Sequence, residues 1–296
     1  MEKIIVITGP TGVGKTKLSI ELAKKYNGEI INADSMQIYK DLNIGTAKIT
    51  DEEMKNIKHY LLNIKNVEED YSIYEYQKDC RNTIKHILDK NKTPIIVGGT
   101  GLYIKSALYD YKLIDNINNE QYNDIDTNTL YKELISIDNK SLNKIDKNNR
   151  QRIINALNYY KTTNKSITDN ITDKLLYNCL FIGLTTDRNN LYNIIDARVD
   201  KMIENGLIEE AKYFYDKNIK TKPLINGIGY KELYQYFDNK ITKDEAINLI
   251  KKNSRHYAKR QYTFFNNKLP IKWFNTDYNN FSNTIKEIIE YIDNNK

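Results

Sequence analysis

The eight residues Gly9-Pro10-Thr11-Gly12-Val13-Gly14-Lys15-Thr16 constrain this chain more than any other stretch. They follow an apolar run, Ile4-Ile5-Val6-Ile7, and precede Leu18, Leu22 and Ala23 at helical spacing. Strand, glycine-rich loop and helix in that order give G-x-x-x-x-G-K-[ST] in the context the pattern requires. The glycines let successive backbone N–H groups turn inward onto phosphate oxygens. The helix behind them adds the positive end of its dipole, and Lys15 adds a full charge. Thr16 offers a hydroxyl to a Mg²⁺ ion riding on the phosphates. The whole of Gly9 to Thr16 is therefore the candidate cradle for a di- or triphosphate, with Thr16 the candidate metal ligand.

The rest of the chain fits an α/β fold built around that loop. Glu29-Ile30-Ile31-Asn32-Ala33-Asp34 reads as a second strand, and Ile73, Tyr76, Cys80, Ile84 and Ile87 form one face of a helix from Ile73 to Leu88. Pro94-Ile95-Ile96-Val97 reads as a buried strand ending in a second tight glycine turn, Gly98-Gly99-Thr100-Gly101. Alternating strands and helices predict a parallel sheet with right-handed crossovers and helices on its flanks. Ligands of such sheets gather at the carboxyl ends of the strands, which is where Asp34 and Thr100 fall. Between Tyr111 and Asn178 the texture changes to asparagine-rich, weakly periodic segments. This predicts a mostly helical insertion over 111–179, interrupting a core made of 1–110 and 180–296. Helices are expected near Leu191–Asn205, Leu207–Tyr215 and Lys243–Phe265.

Composition removes several classes of function. No apolar run approaches a membrane span, and the chain enters its first strand without a secretory leader. Cys80 and Cys179 have no C-x-x-C spacing and read as reduced core residues of a cytoplasmic protein. Three scattered histidines make a zinc site unexpected. The net charge of +6 is unevenly placed: Lys251, Lys252, Arg255, Lys259, Arg260, Lys268 and Lys272 fall between Ala246 and Lys272 with no acid among them. Lys252, Arg255, His256 and Lys259 share one helical face, with Ile250, Tyr257, Gln261 and Phe264 opposite. Such a stripe suits a nucleic-acid backbone, although an ordinary solvated face gives the same pattern.

A phosphate loop by itself points first to an ATPase, a GTPase or a small-molecule kinase. Those enzymes pair the loop with an apolar strand ending in a metal-binding Asp. Here Ile95-Ile96-Val97 ends in glycine, and the strand leading to Asp34 is broken by Asn32. Asp34 could act as a general base, a magnesium ligand or a helix cap.

Taken together, the motifs resemble those of the tRNA dimethylallyltransferases, also called tRNA isopentenyltransferases, of bacterial type. The resemblance is carried by the loop, Asp34-Ser35-Met36-Gln37-Ile38-Tyr39, Gly45-Thr46-Ala47-Lys48 and Pro94 through Tyr103. It continues in Gln151-Arg152, Arg198-Val199-Asp200, Gly206-Leu207, Gly227-Ile228-Gly229-Tyr230-Lys231-Glu232 and Tyr257-Ala258-Lys259-Arg260-Gln261. It implies transfer of a dimethylallyl group from dimethylallyl diphosphate, with Mg²⁺, to the exocyclic N6 of an adenosine beside the tRNA anticodon. The family pattern makes Asp34 the general base and Thr100 its helper, with Lys15 and Arg198 beside the diphosphate. It places the extruded base near Asp34, Ser35, Met36 and Gln37, and further tRNA contacts on Gln151, Arg152, Ile153, Ile154 and Asn155 of the insertion. Lys252, Arg255 and Lys259 would add backbone grip, and the chain is expected to work as a monomer. The chain departs from the family at Tyr60, Asn155 and Phe264, where histidine, arginine and tryptophan are common. Three alternatives stay open: prenylation of free AMP or ATP, a kinase, and a non-catalytic RNA-binding module.

Overall fold

The computed structural model describes residues 3–115, 119–169 and 171–295. Its strands are β1 (Lys3–Thr8), β2 (Gly28–Asn32), β3 (His59–Tyr60), β4 (Thr93–Val97), β5 (Tyr109–Tyr111), β6 (Ile171–Leu175), β7 (Asn178–Thr185) and β8 (Lys272–Asn275). Its helices in the first half are α1 (Lys15–Lys25), α2 (Asp51–Met54), α3 (Ile73–Leu88), α4 (Gly101–Leu108), α5 (Thr127–Ile137) and α6 (Arg150–Thr163). The second half contributes α7 (Arg188–Glu204), α8 (Leu207–Asp216), α9 (Lys222–Asn226), α10 (Tyr230–Phe237), α11 (Lys243–Lys268) and α12 (Phe281–Asn294).

Six strands form one parallel sheet in the order β3-β2-β4-β1-β7-β8. The central strands are apolar on both sides because helices cover both faces. Ile4, Val6, Ile31 and Ile96 pack on one side with Tyr76, Ile84 and Ile104 of α3 and α4. Ile5, Ile7, Ile30, Ile95 and Ile182 pack on the other with Leu18, Leu22, Ile195 and Ile288 of α1, α7 and α12. A third cluster, including Val199, Leu207, Phe214, Leu233 and Ile250, joins α7 to α11 into a helical layer that reaches Tyr39 and Leu42. Among the described residues no helix is long and apolar enough to cross a membrane.

The segment 111–179 contains α5 and α6. It also has a feature the weak periodicity did not announce. The chain leaves the sheet through β5 and returns through β6, and these two pair antiparallel as a ribbon at the root of the insertion. Beyond the ribbon lies a separate small core of Tyr122, Leu130, Leu134, Ile145, Ile153, Ile154, Ala156 and Leu157. Arg150 ties it together by donating to the carbonyls of Ile125 and Tyr122. Buried Asp138 accepts from the hydroxyls of Ser141 and Ser166, at 2.6 and 2.7 Å.

Candidate active site

Strand order explains why the predicted site residues meet. β2, β4 and β1 are neighbours, with Asn32 opposite Val97 and Ile7 opposite Val97 in register. Their carboxyl ends therefore set the Asp34 turn, the Thr100 turn and the phosphate loop side by side along one edge of the sheet.

The loop is shaped by backbone conformations that side chains resist. Gly14, which precedes α1, has φ +95°, and a Cβ there would meet the Phe281 ring at 2.6 Å. Lys15 Nζ donates to the carbonyls of Gly9 and Pro10, at 2.9 and 2.6 Å. Burial lowers its pKa from 10.5 to about 7; repulsion from Arg198 adds to the drop, and attraction to Asp34 opposes it. These two causes also place Arg198 and Asp34 within electrostatic reach of Lys15. Val13 takes part only through its backbone. Its side chain is fully buried and its carbonyl accepts from Thr276 Oγ1. Thr16 is exposed at the start of α1.

Asn32, the residue that spoils an all-apolar second strand, has a structural task. Its buried amide donates to the carbonyls of Asp34 and Leu61, and its oxygen accepts from the Asp34 N–H, all at 2.9–3.0 Å. The Asp34 backbone is thus held by a side chain two residues back. Asp34 Oδ1 accepts from the Met36 N–H at 2.9 Å, a short turn that fixes the carboxylate. Thr100 Oγ1 accepts from the Ser35 N–H at 3.1 Å and lies 3.3 Å from Ser35 Oγ. A carboxylate and a hydroxyl from two adjacent strand ends are thereby bound into one unit.

The Gly98–Gly101 turn is tight because the chain passes close to its neighbours. None of its glycines has positive φ. A Cβ on Gly98 would lie 2.2 Å from the Ala33 backbone, so any side chain would push the two strand ends apart. Gln261 of α11 donates to the Gly99 carbonyl at 3.0 Å from a buried position. Tyr257, one turn earlier, sits beside Thr100, and burial, aided by the Asp34 charge, pushes its phenol up to about 12. Sequence reasoning placed both on the packing face of the helix and assigned neither to the site. The available signals were their spacing of four residues and their place in the Tyr257-Ala258-Lys259-Arg260-Gln261 motif.

Near Asp34, Gln37 Nε2 donates to the Thr46 carbonyl at 3.2 Å, and Arg198 Nη2 reaches the same oxygen at 3.4 Å. An open cleft of about 680 Å³ lies on the other flank of the loop, between the ends of β7 and β8 and the first turns of α7. Its lining includes none of Lys15, Asp34, Thr100 or Arg198, so it lies beside this constellation rather than in it.

Two expected tRNA contacts, Ile153 and Ile154, are corrected, and a third, Arg255, is found in an ion pair. Ile153 and Ile154 are 0% and 6% exposed inside the insertion core, because Gln151, Arg152 and Asn155 occupy the outer side of α6. Gln151 Nε2 bonds Asn155 Oδ1 at 2.9 Å there. Arg255 is not a free cation: its Nη1 lies 2.5 and 2.7 Å from the Asp196 carboxylate of α7. Lys251 is paired likewise with Asp200 at 2.6 Å. The acids that balance the stripe come from another helix, which a count along α11 could not show. Lys252, His256, Lys259 and Arg260 stay exposed.

Known proteins resemble this chain over nearly its whole length. Residues 37–268 match the family model described as IPP transferase. The chain is 49% identical over 300 residues to the tRNA dimethylallyltransferase of Anoxybacillus flavithermus, covering 99% of this chain and 96% of that protein. It is 46% identical to the corresponding Geobacillus thermodenitrificans protein, covering 98% and 96%. Its fold matches the full-length tRNA isopentenylpyrophosphate transferase of Bacillus halodurans with TM-score 0.78 at 42% identity, over 99% of this chain and 96% of that one. It matches a eukaryotic dimethylallyltransferase acting on tRNA with TM-score 0.87 at 30% identity, over 99% and 80%. The chain belongs to the IPP transferase family.

Proposed function

We propose that this protein transfers a dimethylallyl group from dimethylallyl diphosphate to N6 of an adenosine beside the anticodon of tRNA, acting as a monomer. The observation that carries the reading is the row formed along one sheet edge: phosphate loop, Thr100 turn, Asp34 turn, with Arg198 facing them. The diphosphate would lie in the N–H cradle of Gly9 to Thr16, with Lys15 and Arg198 neutralising the charge that grows on it as it leaves. The exposed Thr16 hydroxyl is the protein group that would hold Mg²⁺. When bound there, the ion would stabilise the departing diphosphate.

The adenine amine is a weak nucleophile because its lone pair is delocalised into the ring. As its nitrogen bonds to the allylic carbon, the carbon–oxygen bond to the diphosphate breaks and the nitrogen must shed a proton. Asp34, pinned by Asn32 and Met36, is placed to accept it, while Thr100 orients the amine. The acceptor base must leave its stack to reach this edge. The insertion and the exposed Lys252, His256 and Lys259 face favour a large polyanion over a mononucleotide.

The test is incubation with radiolabelled dimethylallyl diphosphate, Mg²⁺ and either unmodified tRNA or AMP. Label in tRNA is expected. Label in AMP alone would make the chain a nucleotide prenyltransferase, and no label in either would overturn the reading.

A further inference from the structure

Four hydrogen-bond donors converge on one carboxylate at the back of the site. Glu210 of α8 accepts from the backbone N–H groups of Asn43 and Ile44 on Oε2, at 2.9 and 2.8 Å. Its Oε1 accepts from the Gly45 N–H at 2.9 Å and from the Tyr230 hydroxyl at 2.6 Å. Bonds from N–H and O–H groups to an ionised carboxylate are stronger than bonds between neutral groups, and consecutive N–H groups aimed at one anion form a nest. The nest here is filled by a side chain some 165 residues away in sequence.

The segment it grips is strained and sits against the site. Ala47 has φ +42°, a conformation a non-glycine residue adopts at a cost and keeps only when its surroundings hold it. The turn closes on itself through Ala47 N–H to the Ile44 carbonyl and Lys48 N–H to the Asn43 carbonyl, both 2.9 Å, and through Thr46 Oγ1 to the Leu42 carbonyl at 2.6 Å. What it presents outward is the Thr46 carbonyl, the oxygen shared by Arg198 and Gln37. Arg198 is half-buried and lies within electrostatic reach of both Lys15 and Asp34. A guanidinium beside another cation stays put only if acceptors hold it.

We propose that Glu210 is a positioning residue for the reaction: by anchoring the 43–45 backbone it fixes the Thr46 carbonyl, and that oxygen sets Arg198 on the diphosphate side and Gln37 on the acceptor side. The inference rests on the diphosphate reading above. Gln at this position cannot replace Glu, because its amide NH₂ would face N–H donors where an oxygen now accepts. Tyr230 contributes one of the four bonds and leaves the three backbone bonds standing when it is removed.

The experiment is calorimetric titration of inorganic pyrophosphate with Mg²⁺ into the wild type, E210Q, R198K and the double variant, with a thermal midpoint recorded for each. E210Q is expected to weaken pyrophosphate about 10-fold, and the double variant to bind no more than about twofold more weakly than R198K alone, since both changes remove one placement. In the transfer assay the E210Q loss should fall on the KM for the donor. A role in folding alone would lower the thermal midpoint and the fraction of competent protein while leaving the dissociation constant within twofold of wild type. That result, or losses that add in the double variant, overturns the proposal. If E210Q does not fold, E210D, which keeps the charge on a shorter arm, is read by the same criteria with about a 3-fold loss expected. A wild-type chain that does not bind pyrophosphate would refute the diphosphate reading itself.

Discussion

The phosphate-loop edge and the insertion solve opposite problems. At the edge, groups must sit close to one another and, on the reading proposed above, to a small, highly charged ligand, so the backbone does most of the work. Gly14 needs a positive φ, Gly98 must let two strand ends touch, and Asn32 holds Asp34 by its main chain. In the insertion, a small core supports an outer surface, and many polar residues would serve on that surface. The first region leaves few choices at each position. The second leaves only a pattern of inside and outside.

The comparison predicts where substitutions hurt and how. The largest effect is expected at the edge: Asp34→Ala should cut turnover on tRNA by about 10²- to 10⁴-fold while tRNA affinity stays within a few-fold, measured by single-turnover transfer and by filter binding. Turnover near wild type would remove Asp34 as the base and with it the contrast between the regions. Next comes Ile153→Ala, which opens a cavity in the insertion core and should cost about 2–5 kcal/mol locally. Hydrogen exchange across 127–163 should speed up and tRNA binding should weaken, with pyrophosphate affinity unchanged. If Ile153 instead contacts tRNA, affinity would fall with exchange protection intact.

The same contrast explains what could be read in advance. The loop, Asp34 and Thr100 were legible because each is a residue type that one backbone geometry or one piece of chemistry demands, at a spacing that says where it sits. The parallel sheet was legible from short apolar runs alternating with helices. Ile153 and Ile154 were misplaced because a motif carries adjacency along the chain, whereas exposure depends on which side of α6 meets α5. The ion pair of Arg255 was hidden for a similar reason: Asp196, its partner, lies 59 residues away. The β5–β6 ribbon is three and five residues long, too short for its pattern to stand out. Glu210 gave no signal, since its role exists only through backbone groups on another segment.

Two smaller effects sharpen the comparison. If the loop holds a phosphate as proposed, the depressed pKa of Lys15 makes that binding pH-dependent. Below about pH 7 the ammonium is already charged; between 7 and 10.5 the free protein holds it largely neutral, and bound phosphate must draw a proton back onto it. Pyrophosphate affinity should therefore fall with rising pH in that window, approaching tenfold per unit beyond the slope that Lys15→Ala retains from the ligand's own titration. In the same window the unfolded chain binds more protons at this group than the folded one, so the group's contribution to stability improves as pH rises. Equal slopes for the two proteins would show that the loop does not hold a discharged lysine.

The smallest effect belongs to the basic helix, and it asks whether the solvated face of α11 behaves like the insertion's surface or like the edge. Lys252 and Lys259 are exposed, whereas Arg255 and Lys251 are neutralised by Asp196 and Asp200. Counterion release assigns roughly one unit of salt slope to each phosphate that a cationic side chain neutralises. Replacing Lys252 and Lys259 together by Ala should thus lower the slope of log affinity for tRNA against log salt by about 2, and replacing Arg255 should leave the slope unchanged. A shallower slope on replacing Arg255 would mean that its ion pair with Asp196 opens to tRNA. The face would then be one that its partner rearranges, unlike the fixed geometry of the loop.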